Sequence, residues 1–332
     1  MSSRYPDLRL CQGATLDDLD PGQIESYREE LSRRHPGSPL IRLSTEDLLA
    51  RVGAVGGKGN RPTLTGILFF GREPQYFYPS FSITFLHFAG TATSQAGRDA
   101  PLYLDNREFR GTLPAVIDAA RSTLFEKLGK QAVMDGFVRQ DLLEYPEFAY
   151  REAVVNAVSH RDYRLEGSFV QVRLFSDRLE VQSPGGLGGN LTVDNIIYEQ
   201  YTRNPHIVRL LEHYGYVERR GLGIDLMIRT MRQAGLEPPA FENRGTSFWV
   251  TLQGSHPGPS ISVSEMERLG LNERQVQALQ YLHAHGRITN REYQQEFGVS
   301  ERTALYDLQG MVEADLVLPV SSGRGRYYIL RE

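Results

Sequence analysis

Thirteen residues, Arg151 to Tyr163 (REAVVNAVSHRDY), constrain what this chain can fold into more than any other stretch. Ala153, Val154, Val155, Ala157 and Val158 give a small, apolar surface suited to close packing on a sheet. Glu152 and Asn156 stand at i and i+4 on one edge of that surface. The spacing predicts a helix from Arg151 to His160 whose carboxylate and carboxamide face a pocket. The same pair also suits an ordinary solvated helix edge, so residues further along have to decide between the two.

A chain of 332 residues with 40% hydrophobic content can build two or three domains with ordinary cores. Its net charge of −4 gives no global basic signature, so any nucleic-acid contact has to come from a local patch. The single cysteine, Cys11, excludes an internal disulfide framework, and no Cys/His cluster has zinc spacing. No apolar run is long enough to span a membrane, and Met1 to Asp20 has neither the basic start nor the apolar core of a signal peptide. A cytoplasmic protein without a membrane partner is the expectation.

The hydrophobic pattern divides the chain at about residues 146, 253 and 261. An α+β region, 1–146, opens with a helix from Asp20-Pro21 to Arg34 and a second behind the capping box of Ser44 and Asp47. Leu64–Phe70 and Phe81–Phe88 read as neighbouring strands, and Leu113–Leu128 as a helix. Gly53 to Gly59 lacks the spacing and the Ser/Thr of a phosphate loop and reads as a plain loop. In 147–253 the helix at Arg151 is followed by strands at Phe169–Phe175 and Leu179–Gln182 and by the glycine-rich run Gly185 to Gly189. A helix from Asn204-Pro205 to His213, another opened by Gly221-Leu222-Gly223, and a strand Ser247–Leu252 complete the segment.

Residues 254–261 read as a Gly/Pro linker and 262–332 as a separate small domain. Helices at Leu271–Ala284, Thr289–Phe297 and Ser300–Ala314, followed by two strand-like runs, make a winged helix-turn-helix. In the third helix Ala304, Leu305 and Leu308 are expected to face inward. Arg302 and Gln309 can then read base edges, with Tyr306 beside them, while Ser300 and Thr303 suit phosphate oxygens and Arg324 and Arg326 lie in the wing. Residues 261–332 carry eight arginines and ten acidic residues, a net −2 that is low for a strong DNA binder, so a protein-contact or dimerisation module is the competing reading.

With these residues in view, the whole chain resembles the transcriptional regulators labelled RecG-like, in which a GHKL-related ATPase-like domain precedes a winged helix. The matching words are LTGILFFG (64–71), REAVVNAVSHRDY (151–163), DRLEVQSPGG (177–186), RNP (203–205), ERRGLGI (218–224) and GTSFWV (245–250). Members of that family usually carry an N-terminal Schlafen-like AlbA domain, which is not expected within these 332 residues: the sequence reads either as a truncated piece or as a short natural member. The resemblance implies an α/β (α+β) fold, a GHKL-like α/β sandwich with a mixed sheet. It also implies ATP or ADP with magnesium as cofactor. Glu152 would be the general base and Asn156 the magnesium ligand. Gly221 and Gly223 would open a helix toward the phosphates, Gly185 would lie in the glycine-rich turn, and Gly245-Thr246 would precede a strand.

One position departs from the GHKL pattern: where an aspartate reads adenine, this chain has Ser183. Losing a charged hydrogen bond costs about 1.5–3 kcal/mol, so any adenine nucleotide between Asn156 and the Gly221–Gly223 turn should bind no tighter than micromolar. A helicase motor needs a phosphate loop and an acidic magnesium box, and both are missing. His160-Arg161-Asp162 could do acid–base or metal chemistry, yet no nucleophile accompanies it, and capping a helix end is the simpler role.

Two functions remain open. One is a DNA-binding regulator, working as a homodimer on duplex DNA, whose middle domain senses a nucleotide or another small molecule. The other is a slow magnesium-dependent ATPase with an accessory winged helix.

Overall fold

The structure, a computed structural model, describes residues 5–88, 90–91, 93, 103–128, 130–135, 138–143, 145–217, 222–254, 270–285, 287–314, 316–322 and 325–331. The chain divides into two units, one of residues 1–87, 105–174 and 179–253, the other of 88–104, 175–178 and 254–332.

Local chemistry starts the first helices of the larger unit. Asp20 accepts from the Gly22 amide and Pro21 fills the first position of α1 (Pro21–Arg34). Ser44 accepts from the Asp47 amide at the start of α2 (Thr45–Arg51). A short hairpin of β1 (Val55–Gly56) and β2 (Arg61–Pro62) follows, with the Gly/Lys stretch as its turn.

Leu64–Phe70, expected to be a strand, is helix α3. Thr63 caps it through the Gly66 amide at 3.1 Å, and all seven residues are buried, so no polar face shows a helical period. A continuous apolar run of this length is ambiguous between strand and helix, and here the capping threonine decides. After the single turn α4 (Pro74–Phe77) come β3 (Ile83–Phe88), β4 (Tyr103–Phe109), α5 (Leu113–Lys127) and the antiparallel pair β5 (Lys130–Asp135) and β6 (Val138–Leu143). The neighbouring strands expected at 64–70 and 81–88 are therefore one helix and one strand.

The order then runs α6 (Glu147–Ser159), β7 (Val170–Leu174), β8 (Arg178–Pro184), α7 (Pro205–His213), α8 (Gly223–Gln233), β9 (Ala240–Asn243) and β10 (Ser247–Gln253). Six strands form one mixed sheet in the order β4-β3-β7-β8-β10-β9. β7 runs parallel to β3 and antiparallel to β8, and β9 and β10 are antiparallel. Strands from both sides of residue 146 thus share one sheet, and a single core runs from Cys11 to Leu252. Helix α6 lies within it, its alanines and valines buried, packed on α5, α8, β7 and β10.

Helix α7 receives its cap from far away in sequence. The fully buried Asp7 carboxylate accepts from the amides of His206 at 2.7 Å and Ile207 at 3.2 Å, satisfying donors that the helix cannot pair itself.

In the smaller unit, α9 (Glu273–His285), β11 (Ile288–Thr289), α10 (Asn290–Phe297), α11 (Glu301–Glu313), β12 (Val317–Ser322) and β13 (Gly325–Leu330) follow in order. β13 pairs antiparallel with both β11 and β12. Thr289 and Glu292 form a capping box, Gly298 ends α10 in the left-handed conformation, and Ser300 caps α11 through the Thr303 amide. Of the linker, residues 255–261 lie outside the described residues.

One inward expectation fails: Leu305 is 46% exposed. The buried stripe of α11 is Ala304, Asp307, Leu308 and Met311, which puts Leu305 on the outer face beside Tyr306. Asp307 is tolerated inside because Asn272, Arg274 and Tyr293 all donate to its carboxylate, at 2.7, 2.9 and 3.2 Å. Among the described residues no helix is long and apolar enough to cross a membrane.

Replacing Asp7 by alanine should destabilise the larger unit by about 2 kcal/mol, because it strips a buried cap and leaves two amides unpaired. Urea unfolding measures this, and an unchanged midpoint would disprove the capping role.

Candidate functional site

The polar edge of α6 opens on a cavity of about 230 Å³. This is below the roughly 300–1,000 Å³ usual for small-molecule sites. Its walls are the α6 edge, β8, the glycine run after it, and the first turns of α8, with Phe241, Phe248 and Val250 contributing from β9 and β10. Glu152, Asn156, Ser183, Gly185 and Gly223, five residues marked by the sequence, line it together.

Asn156 Nδ2 donates to Glu152 Oε1 at 3.1 Å. The Glu152 carboxylate rests against the first residue of α8, so closely that a Cβ on Gly223 would lie 1.8 Å from Oε1. It therefore sits at the positive end of the α8 dipole, where the sequence reading put phosphate. Gly221 lies outside the described residues.

Beyond Asn156, α6 ends in the interior, and its last carbonyls are taken one by one. Ser183 Oγ donates to Ala157 O at 2.7 Å, and the Tyr163 hydroxyl donates to Val158 O at 3.0 Å. Asn204 Nδ2 donates to Ser159 O at 3.0 Å and to Arg161 O at 2.8 Å, while Arg203 Nη1 reaches His160 O at 3.3 Å. Ser183, expected as the adenine reader, has its proton committed to the helix and can offer a ligand only an acceptor.

Arg203 and Asn204 were not anticipated beyond a helix start at Asn204-Pro205. The local word RNP signals a cap, but the partners lie more than forty residues away. Arg203 also donates to Gly186 O at 2.8 Å and stands 3.8 Å from Asp162. Asp162 is in turn gripped by Arg164 at 2.9 and 2.7 Å, and the hydrogen bonds of this partner hold its carboxyl below the usual range. Arg161 is buried over the Phe81 ring at 4.5 Å, and burial lowers its pKa to about 10.

These contacts fix the glycine run. Gly185 has φ +96°, and a Cβ there would meet Asp162 Cβ and Arg203 Nη1 at 2.5 Å. Gly245 and Thr246, expected at the site, do not line the cavity. They brace it from behind: Thr246 O accepts from the Gly185 amide at 2.8 Å, and Gly245 O would lie 2.4 Å from a Cβ on Gly186.

The cavity is electrostatically lopsided. Among the described residues, Glu152, Glu199 and Glu212 line it alongside Arg203, whose guanidinium is already engaged. His160 stands at the rim with over a third of its surface open, yet surrounding protein and then Arg203 push its pKa down. Water at the open face softens that push, so only its sign matters: the imidazole is neutral near pH 7. Among the described residues no group of three or more His, Cys, Asp or Glu could hold a metal.

In the smaller unit Arg302, Tyr306 and Gln309 are exposed on α11 and Thr303 is half-buried. Ser300 is spent as the helix cap, its Oγ 2.9 Å from Thr303 Oγ1. Arg326 is exposed with its guanidinium 5.4 Å from the Tyr328 ring centre, and Arg324 lies outside the described residues.

Comparison with known proteins agrees with this geometry. Residues 167–252 match the family described as "Putative ATP-dependent DNA helicase recG C-terminal", and residues 1–84 match "Domain of unknown function (DUF8451)". No curated protein matches the chain. Among solved structures it is similar to the DIP2311 protein from Corynebacterium diphtheriae, at 22% identity and a TM-score of 0.59. That likeness covers 98% of this chain and 64% of the other, and at such identity it carries the fold alone. The chain thus contains an ATPase-like domain of α+β architecture with a mixed sheet, and it spans under two thirds of that relative.

Two outcomes follow from the cavity. Gly185→Ala should cost about 2–3 kcal/mol, read by thermal unfolding, because the side chain strains a positive φ and displaces Arg203; a neutral substitution would refute the packing. His160 in the unfolded chain takes up its proton near 6.5 and in the folded chain only lower, so its contribution to stability is full above that value and lost as pH falls below it. An NMR titration should find the folded ring neutral at about pH 6, and a charged ring there would reverse the sign.

Proposed function

We propose that this chain is a ligand-responsive DNA-binding regulator. Its ATPase-like domain holds an adenine nucleotide with magnesium weakly, and its C-terminal unit reads duplex DNA as a homodimer. The observation that carries the sensing half is the convergence of Glu152, Asn156, Ser183 and the start of α8 on one cavity.

The donor set supports magnesium. Asn156 spends its amide hydrogen on Glu152, which leaves Oδ1 as the kind of neutral oxygen that magnesium accepts alongside waters and phosphates. When bound, the ion supplies positive charge beside the carboxylates of Glu152, Glu199 and Glu212. Ser183 Oγ, an acceptor by commitment, suits an exocyclic amine, and the apolar walls Phe241 and Phe248 suit a flat base.

The DNA half rests on the helix, strand, helix, helix, strand, strand order from Glu273 to Leu330, which supports a winged helix-turn-helix bounded by a linker near 254–261. The outer face of α11 carries Arg302, Tyr306 and Gln309 in the open. With a net charge of −2 over residues 261–332, affinity must come from a matched site and paired domains.

The enzyme reading is favoured by one feature, the presence of Glu152 four residues before Asn156. Against rapid turnover stands the Glu152 carboxylate itself, drawn to the α8 start and not free to activate water.

Glu152→Gln separates the readings. Removing a like charge next to the phosphates should tighten ATP binding by roughly fivefold to tenfold in calorimetry, about 1–1.4 kcal/mol. Magnesium-dependent hydrolysis, if present, should vanish. Absence of any ATP heat in wild type and variant alike would eliminate nucleotide sensing. In gel shifts on selected genomic fragments, Arg302→Ala should lose about 1–3 kcal/mol on the specific site. No selected fragment, together with a truncation lacking 261–332 that becomes monomeric, would establish the dimerisation reading.

A further inference from the structure

A second concavity of the larger unit lies away from the ATPase-like cavity, with no residue in common. It measures about 650 Å³ and is formed by His35 at the end of α1, the loop Pro36 to Leu40, Arg51 at the end of α2, and Arg209 and His213 on α7. Among the described residues no acidic one lines it. Its size falls within the roughly 300–1,000 Å³ of small-molecule sites.

The cationic groups here are not consumed by the fold. Among the described residues neither Arg51 nor Arg209 makes an ion pair or side-chain hydrogen bond, unlike Arg28, Arg33 and Arg34 of nearby α1. Arg51 is not needed to cap α2, whose last carbonyls accept from the amides of Val52 at 2.9 Å, Gly53 at 3.2 Å and Ala54 at 2.8 Å.

The imidazoles add to the picture. Tyr27 Oη lies 2.6 Å from His213 Nδ1. Tyr27 is fully buried and burial raises its pKa, so it keeps its proton and acts as the donor, which puts the ring hydrogen of His213 on Nε2. His35 packs edge-on against His213, with ring centres 5.5 Å apart, and its Nε2 is buried without a hydrogen-bond partner among the described residues. A buried ring nitrogen left unpaired costs free energy, and a ligand in the bowl would recover it. The loop His35-Pro36-Gly37-Ser38-Pro39 is stiffened by its prolines and by the Ser38 amide bonding His35 O at 2.8 Å, so the wall is formed in advance.

We propose that this bowl binds the phosphate group of a small phosphorylated metabolite, with Arg51 and Arg209 supplying charge and His35 supplying a ring nitrogen. Two guanidinium groups lining one bowl match a phosphate dianion in charge and in the kind of donor it takes. The volume exceeds what inorganic phosphate fills, leaving room for the organic part against Pro36, Pro39 and Leu40.

The test titrates the full chain with inorganic phosphate and with ribose 5-phosphate, using calorimetry and sulfate as the control anion. Saturable binding of ribose 5-phosphate, tighter than that of phosphate, is expected; equal affinity would mean that free phosphate is the source of the recognised group. The paired substitution Arg51→Gln with Arg209→Gln should weaken binding at least tenfold. Asn156→Ala should leave it unchanged, which keeps this site distinct from the ATPase-like cavity. The ring C–H signals of His35 and His213 in the wild-type chain should shift along the same titration, a readout that needs no variant to fold. The proposal is overturned if neither probe binds beyond the sulfate control, if the arginine pair can be replaced without effect, or if Asn156→Ala abolishes the binding.

Discussion

Helix α6 ends inside the protein, and the need to satisfy its last carbonyls organises everything around the cavity. An unpaired buried carbonyl costs about 1–3 kcal/mol, far more than the net gain of an ordinary hydrogen bond. Side chains serve these groups. Ser183 comes from the end of β8, Tyr163 from the loop after the helix, and Arg203 and Asn204 from the start of α7. Each bond draws a different segment to the same point. The strand end, the glycine run and α7 are placed relative to α6 by this one requirement, and Asp7 caps the same end of α7.

This changes what the family words mean. HRDY, the serine of SPGG, and RNP look like parts of a binding site because they lie beside one, but their side chains chiefly cap a helix and brace a turn. A resemblance built on such words reports the scaffold with high fidelity and the ligand with much less. Ser183 illustrates the difference: an aspartate there would be an acceptor with charge, whereas the serine donates to Ala157 and retains only lone pairs for a guest.

What the sequence could disclose follows the range of the interactions. Asp20, Ser44 and Ser300 marked helix starts correctly because a cap and its amides lie within a few residues, and Pro205 marked the start of α7 by its place in the first turn, although the cap itself comes from Asp7. The i, i+4 spacing put Glu152 and Asn156 on one face for the same reason. Leu64–Phe70 was misread because complete burial erases periodicity, and Leu305 because the stripe of α11 admits a charged residue, Asp307, which pattern reading assigns to the surface. Asp7, paired across about two hundred positions of chain, left no local trace at all. Nor did the two basic side chains of the second concavity, brought together from α2 and α7 by packing alone.

In the proposed nucleotide-sensing role, the cavity sets two anions in competition for one place. The start of α8 offers unpaired amides and a positive dipole end, and Glu152 already leans on it. A nucleotide phosphate entering there must either move that carboxylate or arrive with its charge masked. Moving it breaks the bond from Asn156 and exposes a base within reach of the phosphates, while masking it requires a cation beside the Asn156 oxygen. Both routes couple occupancy to the positions of Glu152 and Asn156 and, through them, to the helix whose far end fixes β8 and α7. In the proposed sensing role, displacement of these two side chains is the route by which occupancy at one edge of α6 would reach the segments that cap its end.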